Sequence, residues 1–315
     1  MRVLVAGATG FIGGALCAEL VAAGHEVVVL SRDAASARAR LPMVAGAFAW
    51  PSPTAAAPPP DAFDGVDGVV NLAGEPVSGR WTDGKKRRIH DSRALGTRHL
   101  VQAMGGFARR PRVLVNGSAV GYYGNRGDEE LTEASPPGED FLAGVCRDWE
   151  AEARRAEELG MRVVRSRTGL VLGSDGGMLR PMLPLFRFGL GGPLGDGNQW
   201  WPWVHRRDVV GMVRLALEDD RIAGPLNATA PNPVRQGVFA KTMGRVLGRP
   251  ALVPVPAFAL RLVLGEFSAE VLNSKRVLPR AASRAGYRFH FADLETALRD
   301  ALRKPARVTS SAAPP

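Results

Sequence analysis

Unbroken apolar runs and amphipathic stretches take turns along most of this chain. Residues 3–6 are Val-Leu-Val-Ala, and after a glycine-rich turn Ile12, Leu16 and Leu20 recur at helical spacing. A second apolar run follows at 27–30. A short apolar run bounded by turn signals is the mark of a strand buried on both faces, as in a parallel sheet. The same signal returns at 67–72, 112–116, 163–172 and 225–228, and helical patterns occupy the stretch up to about Met104 and residues 141–159 and 209–217. Strands alternating with helices predict an α/β fold, a Rossmann-type doubly wound parallel sheet.

Three stretches interrupt the alternation. Residues 34–60 are rich in Ala and Pro and predict a short, loose crossover with a brief strand near Phe48. Residues 176–197 are dense in Gly, Leu and Pro and read as an irregular lid. From Val234 onward come two helical segments, 236–247 and 256–264, a turn-strand at 286–289 and a closing helix at 294–302. The expected division is a dinucleotide-binding domain of residues 1–173 and 205–230, and a small mixed substrate-side domain of residues 174–204 and 231–304. Residues 305–315, small, polar and Pro-rich, are expected to be disordered.

The first turn carries the most specific chemistry. Gly7, Gly10 and Gly13 punctuate Gly7-Ala8-Thr9-Gly10-Phe11-Ile12-Gly13 between strand and helix. Such a turn lets a pyrophosphate approach the backbone N–H groups of Thr9, Gly10, Phe11 and Ile12 at a helix N-terminus, where the helix dipole favours negative charge. At the end of the second strand stands Leu30-Ser31-Arg32-Asp33. An NAD enzyme places a carboxylate there for the ribose 2′-hydroxyl, whereas Arg32 and Ser31 suit a 2′-phosphate. NADP is therefore the expected cofactor, although Asp33 would serve a 2′-hydroxyl if the strand ran further. Asn71, Leu72, Ala73 and Gly74 follow another strand and should lie beside the cofactor.

Charge and cysteine content narrow the class. The 315 residues carry a formal net charge of +10, which favours polyanions in general. The basic residues are spread out, Lys85-Lys86-Arg87-Arg88 being the only run, and no nucleic-acid-reading motif accompanies them, so nucleic acid is not expected as a partner. No run of eighteen apolar residues indicates a membrane span, and the immediate entry into a strand leaves no room for a leader peptide. Two cysteines, Cys17 and Cys146, read as free thiols of a cytoplasmic protein, and five scattered histidines offer no metal site. A monomer or homodimer with a small-molecule substrate is the expectation.

Candidate chemistry clusters past the later strands. Ser118 follows the 112–116 strand with Tyr122 and Tyr123 close behind, a set able to bind a carbonyl or hydroxyl. Arg167 stands near a strand end, where it would hold an anionic group. Gln199 and Trp200 open the block Gln199-Trp200-Trp201-Pro202-Trp203-Val204-His205, in which His205 is a residue type whose unperturbed pKa lies near neutrality. Asp208 is the expected N-cap of the helix that follows.

These motifs together resemble the atypical extended short-chain dehydrogenase/reductases known as nucleoside-diphosphate-sugar-epimerase-like proteins. The residues that carry the likeness are the glycine turn, Asn71 to Gly74, Ser118 to Gly124, Gln199 to Asp208, and a C-terminal domain with Ser274-Lys275-Arg276-Val277-Leu278-Pro279 and Gly286 to Phe289. The resemblance implies an NADP-type Rossmann domain and brings no defined substrate. It also exposes a departure. Typical superfamily members carry a Tyr, then a Lys four residues on, and the lysine lowers the tyrosine pKa for proton transfer. Alignment on Glu150 puts Leu142 and Cys146 at those positions. The expected function is an NADP-binding oxidoreductase or epimerase acting on a carbonyl/alcohol of a small polar substrate, with Ser118, Tyr122, Tyr123 or His205 as catalytic groups. The alternative is an inactive NADPH-binding interaction or redox-sensing module.

Overall fold

Side chains of the first strand, β1 (Arg2–Ala6), divide by the two-residue period of a strand between two cores. Val3 and Val5 face one, with Leu16 and Leu20 of α1 (Phe11–Ala22), while Leu4 and Ala6 face the other. The computed structural model describes residues 1–303; the expected disorder of 305–315 lies outside them.

After α1 come β2 (Glu26–Ser31), α2 (Ala34–Arg40), β3 (Gly46–Ala49) and β4 (Gly68–Asn71), then α3 (Asp83–Gly105) and β5 (Val113–Ala119). A two-residue strand, β6 (Glu130–Leu131), precedes α4 (Phe141–Arg154) and β7 (Arg162–Thr168). Then follow β8 (Leu170–Leu172), α5 (Leu179–Arg187), β9 (Trp200–Trp201), β10 (Trp203–His205), α6 (Arg206–Glu218) and β11 (Gly224–Ala228). Seven strands form one parallel sheet in the order β11-β7-β5-β4-β1-β2-β3. Helices cover both faces: Val209, Val213 and Leu217 of α6 share the core of α1, and Leu100 and Met104 of α3 share the other with Ala153 of α4.

The remaining elements are β12 (Val234–Arg235), α7 (Gln236–Leu247), α8 (Ala257–Leu264), α9 (Ser268–Leu272), β13 (Arg276–Val277), α10 (Arg280–Arg284) and α11 (Leu294–Ala301). A third core joins the 174–204 region to these segments, with Leu183 and Phe186 of α5, Trp201, Trp203, Phe239 of α7 and Leu298 of α11 in contact as one cluster. The C-terminal segments also reach the main body, because β13 pairs in parallel with β6.

Several local expectations change. Residues 34–40 form a helix rather than a loose crossover, because Asp33 caps it by accepting a hydrogen bond from the Ser36 N–H at 3.0 Å. The glycine-rich insertion contains α5, whose buried Leu179, Leu183 and Phe186 keep helical spacing despite the donor lost at Pro184. Residues 286–289 belong to no strand. Asp208 lies inside α6, not at its cap. His205 takes that place, its Nδ1 accepting from the Arg207 N–H at 3.2 Å.

Candidate functional site

At the carboxyl ends of β1 and β4 the chain is crowded, and glycine is what permits it. Gly7 has φ +81°, and a Cβ there would sit 2.6 Å from the Leu72 backbone. A Cβ on Gly13 would lie 2.3 Å from the Gly7 carbonyl oxygen. Helix α1 thus starts pressed against both strand ends, with no side-chain cap and no acidic residue in its first turn. Its first N–H groups are left for an anion.

A cavity of about 1090 Å³ opens in front of them, lined by Thr9, Gly10, Phe11, Arg40, Arg180 and Arg206 among others. Arg40 donates to the Thr9 carbonyl at 3.2 Å, and Arg206 pairs with Asp175 at 2.8 Å and lies over the Phe11 ring. Ile12 is half-buried beside the turn. Arg32 is exposed at the end of β2 and does not line the cavity, and the Ser31 Oγ accepts from the Asp33 N–H at 3.3 Å. The Asp33 carboxylate is engaged with its helix. Sequence reasoning missed Arg40, Arg180 and Arg206, since nothing in an arginine-rich chain marks those that fold onto the turn.

On the β4 side, Asn71 is buried and its amide donates to Thr97 Oγ1 and Asn116 Oδ1 at 2.9 and 2.8 Å. Its Oδ1 accepts from the Ala73 N–H at 3.3 Å, which holds the Leu72-Ala73-Gly74 turn. Packed on Gly74 is another missed residue, Arg93. It donates to the carbonyls of Glu75 and Ile89, both at 3.0 Å, and stacks 5.1 Å from the Trp149 ring. Among the described residues no carboxylate lies within ion-pair distance of Arg93, and burial pulls its pKa below the usual guanidinium value.

The β5 end differs in kind. Ser118 is buried and donates to Glu150 Oε1 at 2.7 Å. Arg167, also buried, holds the same carboxylate with both prongs, Nε to Oε1 at 2.8 Å and Nη2 to Oε2 at 2.9 Å. Its Nη1 donates to Tyr123 Oη at 3.1 Å, and Tyr123 donates to Asn227 Oδ1 at 2.6 Å. Burial raises the Tyr123 pKa to about 12. Burial opposes the charge on Arg167 most strongly, but the hydrogen bonds and charge interactions with Glu150 and Tyr123 together outweigh it and hold its pKa above the ordinary value. Arg167 also lies 3.4 Å from the centroid of the Tyr122 ring. Tyr122 itself is half-buried, and its hydroxyl has no protein partner among the described residues.

The other candidates lie elsewhere. The His205 ring is buried, stacks on Phe291 at 4.1 Å and sits 3.3 Å from Asp300, and burial lowers its pKa to about 4. Gln199 donates to the carbonyls of Leu194 and Val271, and the Trp200 indole donates to Asp128 between Arg235 and Arg276. Neither residue is among the walls of the glycine-turn cavity or of the cavity beside α4.

A second cavity, about 690 Å³, separates the N-terminus of α4 from α8 and α9. Trp81, Asn125, Asp140, Leu142, Arg261 and Glu270 are among its walls. Leu142 therefore forms part of a cavity wall while itself buried in a cluster with Trp81, Ile89 and Val145. Cys146, one helical turn on, is buried against Gly121, and burial pushes its thiol up to about 12. Cys17 is buried and free as well.

A seven-stranded parallel sheet in this order, with a glycine turn opening the first helix, defines a Rossmann-type dinucleotide-binding protein. The chain belongs to the NAD dependent epimerase/dehydratase family, whose model matches residues 3–227, and a domain of unknown function (DUF1731) matches residues 255–301. It is 42% identical over 308 residues to the epimerase family protein SDR39U1 homolog, chloroplastic, of Arabidopsis thaliana, covering 95% of this chain and 86% of that protein. With the epimerase family protein YfhF of Bacillus subtilis (strain 168) it shares 39% identity over 95% and 97% of the two chains. The crystal structure of human epimerase family protein SDR39U1 (isoform 2) with NADPH superposes with a TM-score of 0.85 at 36% identity, covering 95% of this chain and 98% of that one.

Proposed function

We propose that the chain binds NADPH along the glycine turn and is an oxidoreductase or epimerase-like enzyme for a carbonyl/alcohol pair on a small polar substrate held in the α4–α8 crevice. The observation that carries the cofactor half is the uncapped N-terminus of α1 opening onto a cavity with three arginines. The NADPH in the human relative supports the same reading. The residues present fit the group: backbone N–H groups of Thr9 to Ile12 for the pyrophosphate, Arg40 with Ser31 and Arg32 for the 2′-phosphate, and the Asn71–Gly74 turn beside the far half. Bound there, the nicotinamide supplies a hydride.

This chain must then furnish the proton. Ser118 and Tyr123 are tied into the Glu150–Arg167 network and His205 is held neutral as a helix cap, which leaves Tyr122 as the proton donor to the substrate oxygen, although Tyr122 is not among the walls of either cavity. Arg167, under the Tyr122 ring, positions it rather than touching substrate. Arg93 adds a fixed positive charge beside Gly74. Two buried free cysteines suit a reducing compartment, so we place the protein in the cytoplasm.

A second reading is favoured by one observation: apolar Leu142 and inert Cys146 occupy the positions of the superfamily's proton-transfer pair. In that reading the chain is an NADPH-binding module without turnover. NADPH oxidation over a panel of aldehydes, ketones and sugar nucleotides separates the two. Turnover that falls at least tenfold in Tyr122→Phe, with NADPH affinity unchanged, is expected. Tight NADPH binding with no turnover on any of them would decide for the module.

A further inference from the structure

Eight of the ten large apolar side chains exposed on the described residues fall in two short stretches, residues 185–190 and 252–263. The most exposed are Phe188 at 81%, Leu252 at 77% and Leu262 at 73%. The stretches lie side by side. The Val253 N–H donates to the Gly191 carbonyl and the Val255 N–H to the Pro193 carbonyl, while Arg249 donates to the Arg187 carbonyl at 3.1 Å. Helix α8, Ala-Phe-Ala-Leu-Arg-Leu-Val-Leu, continues the surface directly and buries none of its eight residues. A helix apolar around most of its girth is normally buried, and an apolar patch of this kind marks a docking surface.

Charge says what covers it. Residues 176–195 contain no Asp or Glu and carry Arg180 and Arg187. Residues 221–265 contain none either, across 45 positions that include Lys241, Arg245, Arg249 and Arg261. The patch is thus apolar at its centre with a mainly basic rim, in which Arg245 is paired with Glu295 and Glu266 follows α8 directly. Pairing with a second copy would bring like-charged rims together, whereas an anionic lipid surface accepts the apolar tips among its acyl chains and the arginines among its headgroups.

We infer that the face formed by residues 185–190, 249–255 and α8 docks on an anionic membrane surface, the chain lying on the bilayer rather than crossing it. Among the described residues no helix is long and apolar enough to cross a membrane, and surface docking requires none. Lipid docking requires neither the cofactor nor the crevice, although α8 also walls that crevice.

Sedimentation of the whole chain with vesicles of phosphatidylcholine, alone or with one third phosphatidylglycerol, tests it. Expected are partition onto the anionic vesicles, a loss of that partition as salt rises past ~0.5 M, and a drop of tenfold or more in Phe258→Ser/Leu262→Ser with an unchanged thermal midpoint. Wild-type protein that stays in the supernatant with anionic vesicles overturns the inference. Equal partition onto neutral vesicles overturns the role of the arginines. A dimer in light scattering that the double substitution dissolves, without vesicle binding, gives the face to a second copy and overturns it as well. Should the variant precipitate, the lipid and salt dependence of the wild type decides alone.

Discussion

Two strand ends on the carboxyl rim of the sheet, those of β1 and β5 on either side of β4, are built on opposite principles. At β1 the helix donors are left open: α1 begins without a cap beside a cavity lined by Arg40, Arg180 and Arg206, the last paired with Asp175. At β5 they are closed on one another, with Ser118, Glu150, Arg167, Tyr123 and Asn227 forming an unbroken chain of hydrogen bonds. Open donors at a helix N-terminus cost little in water and are ready for an anion. A closed, buried network cannot exchange partners with a substrate without leaving a charge unpaired. The difference separates an open site from a structural one: the β1 end leaves helix donors free, and the β5 end is closed on itself.

Breaking the closed end should have the largest effect. Arg167→Met leaves buried Glu150 only its Ser118 hydrogen bond and the more distant Arg165 at 3.8 Å, and losses of this kind cost up to about 3–5 kcal/mol. A fall of roughly ten degrees in the thermal midpoint is expected. An unchanged midpoint with altered substrate handling would make Arg167 a substrate clamp and erase the contrast between the two ends.

Acidification probes the same contrast at α6. The fold keeps His205 neutral, with its pKa lowered to about 4. Between roughly pH 6.5 and that value the unfolded chain binds a proton that the folded chain does not, so stability falls as pH falls. The loss should be on the order of 2 kcal/mol across that window. His205→Asn retains a capping side chain and should flatten this part of the urea-melt pH profile. An unchanged slope would return His205 to the list of titrating groups.

The smallest effect sharpens the open end. Asp33→Ala removes the cap of α2 and should cost about 1 kcal/mol in denaturant melts. NADH should not gain or lose affinity, because the carboxylate is committed to Ser36. A large fall in NADH affinity instead would make Asp33 a ribose ligand.

Much of the open end was legible in the sequence, because a glycine turn works through backbone conformation, and glycine at Gly7 and Gly13 is written directly in the chain. The seven strands were legible for a related reason, since parallel strands are apolar on both faces. The closed end was not. Ser118, Glu150 and Arg167 lie on three elements, and spacing along a chain says nothing of which charges meet inside a fold. Arg40 and Arg93 were hidden among many arginines, and α5 behind the prolines that usually forbid a helix. The departure at Leu142 and Cys146 was readable from the sequence. That Leu142 lines a crevice while Cys146 is sealed required the packing of α4.

Calorimetric titration of NADPH and NADH into wild type and Arg32→Ala/Arg40→Ala tests most directly whether the open end is a cofactor site. NADPH should bind tighter than NADH, and the double substitution should erase at least a tenfold preference, the worth of one charge-assisted contact of about 1.5 kcal/mol. Binding of neither nucleotide to the folded wild type would contradict the account and reduce the glycine turn to a device for packing helix on strand.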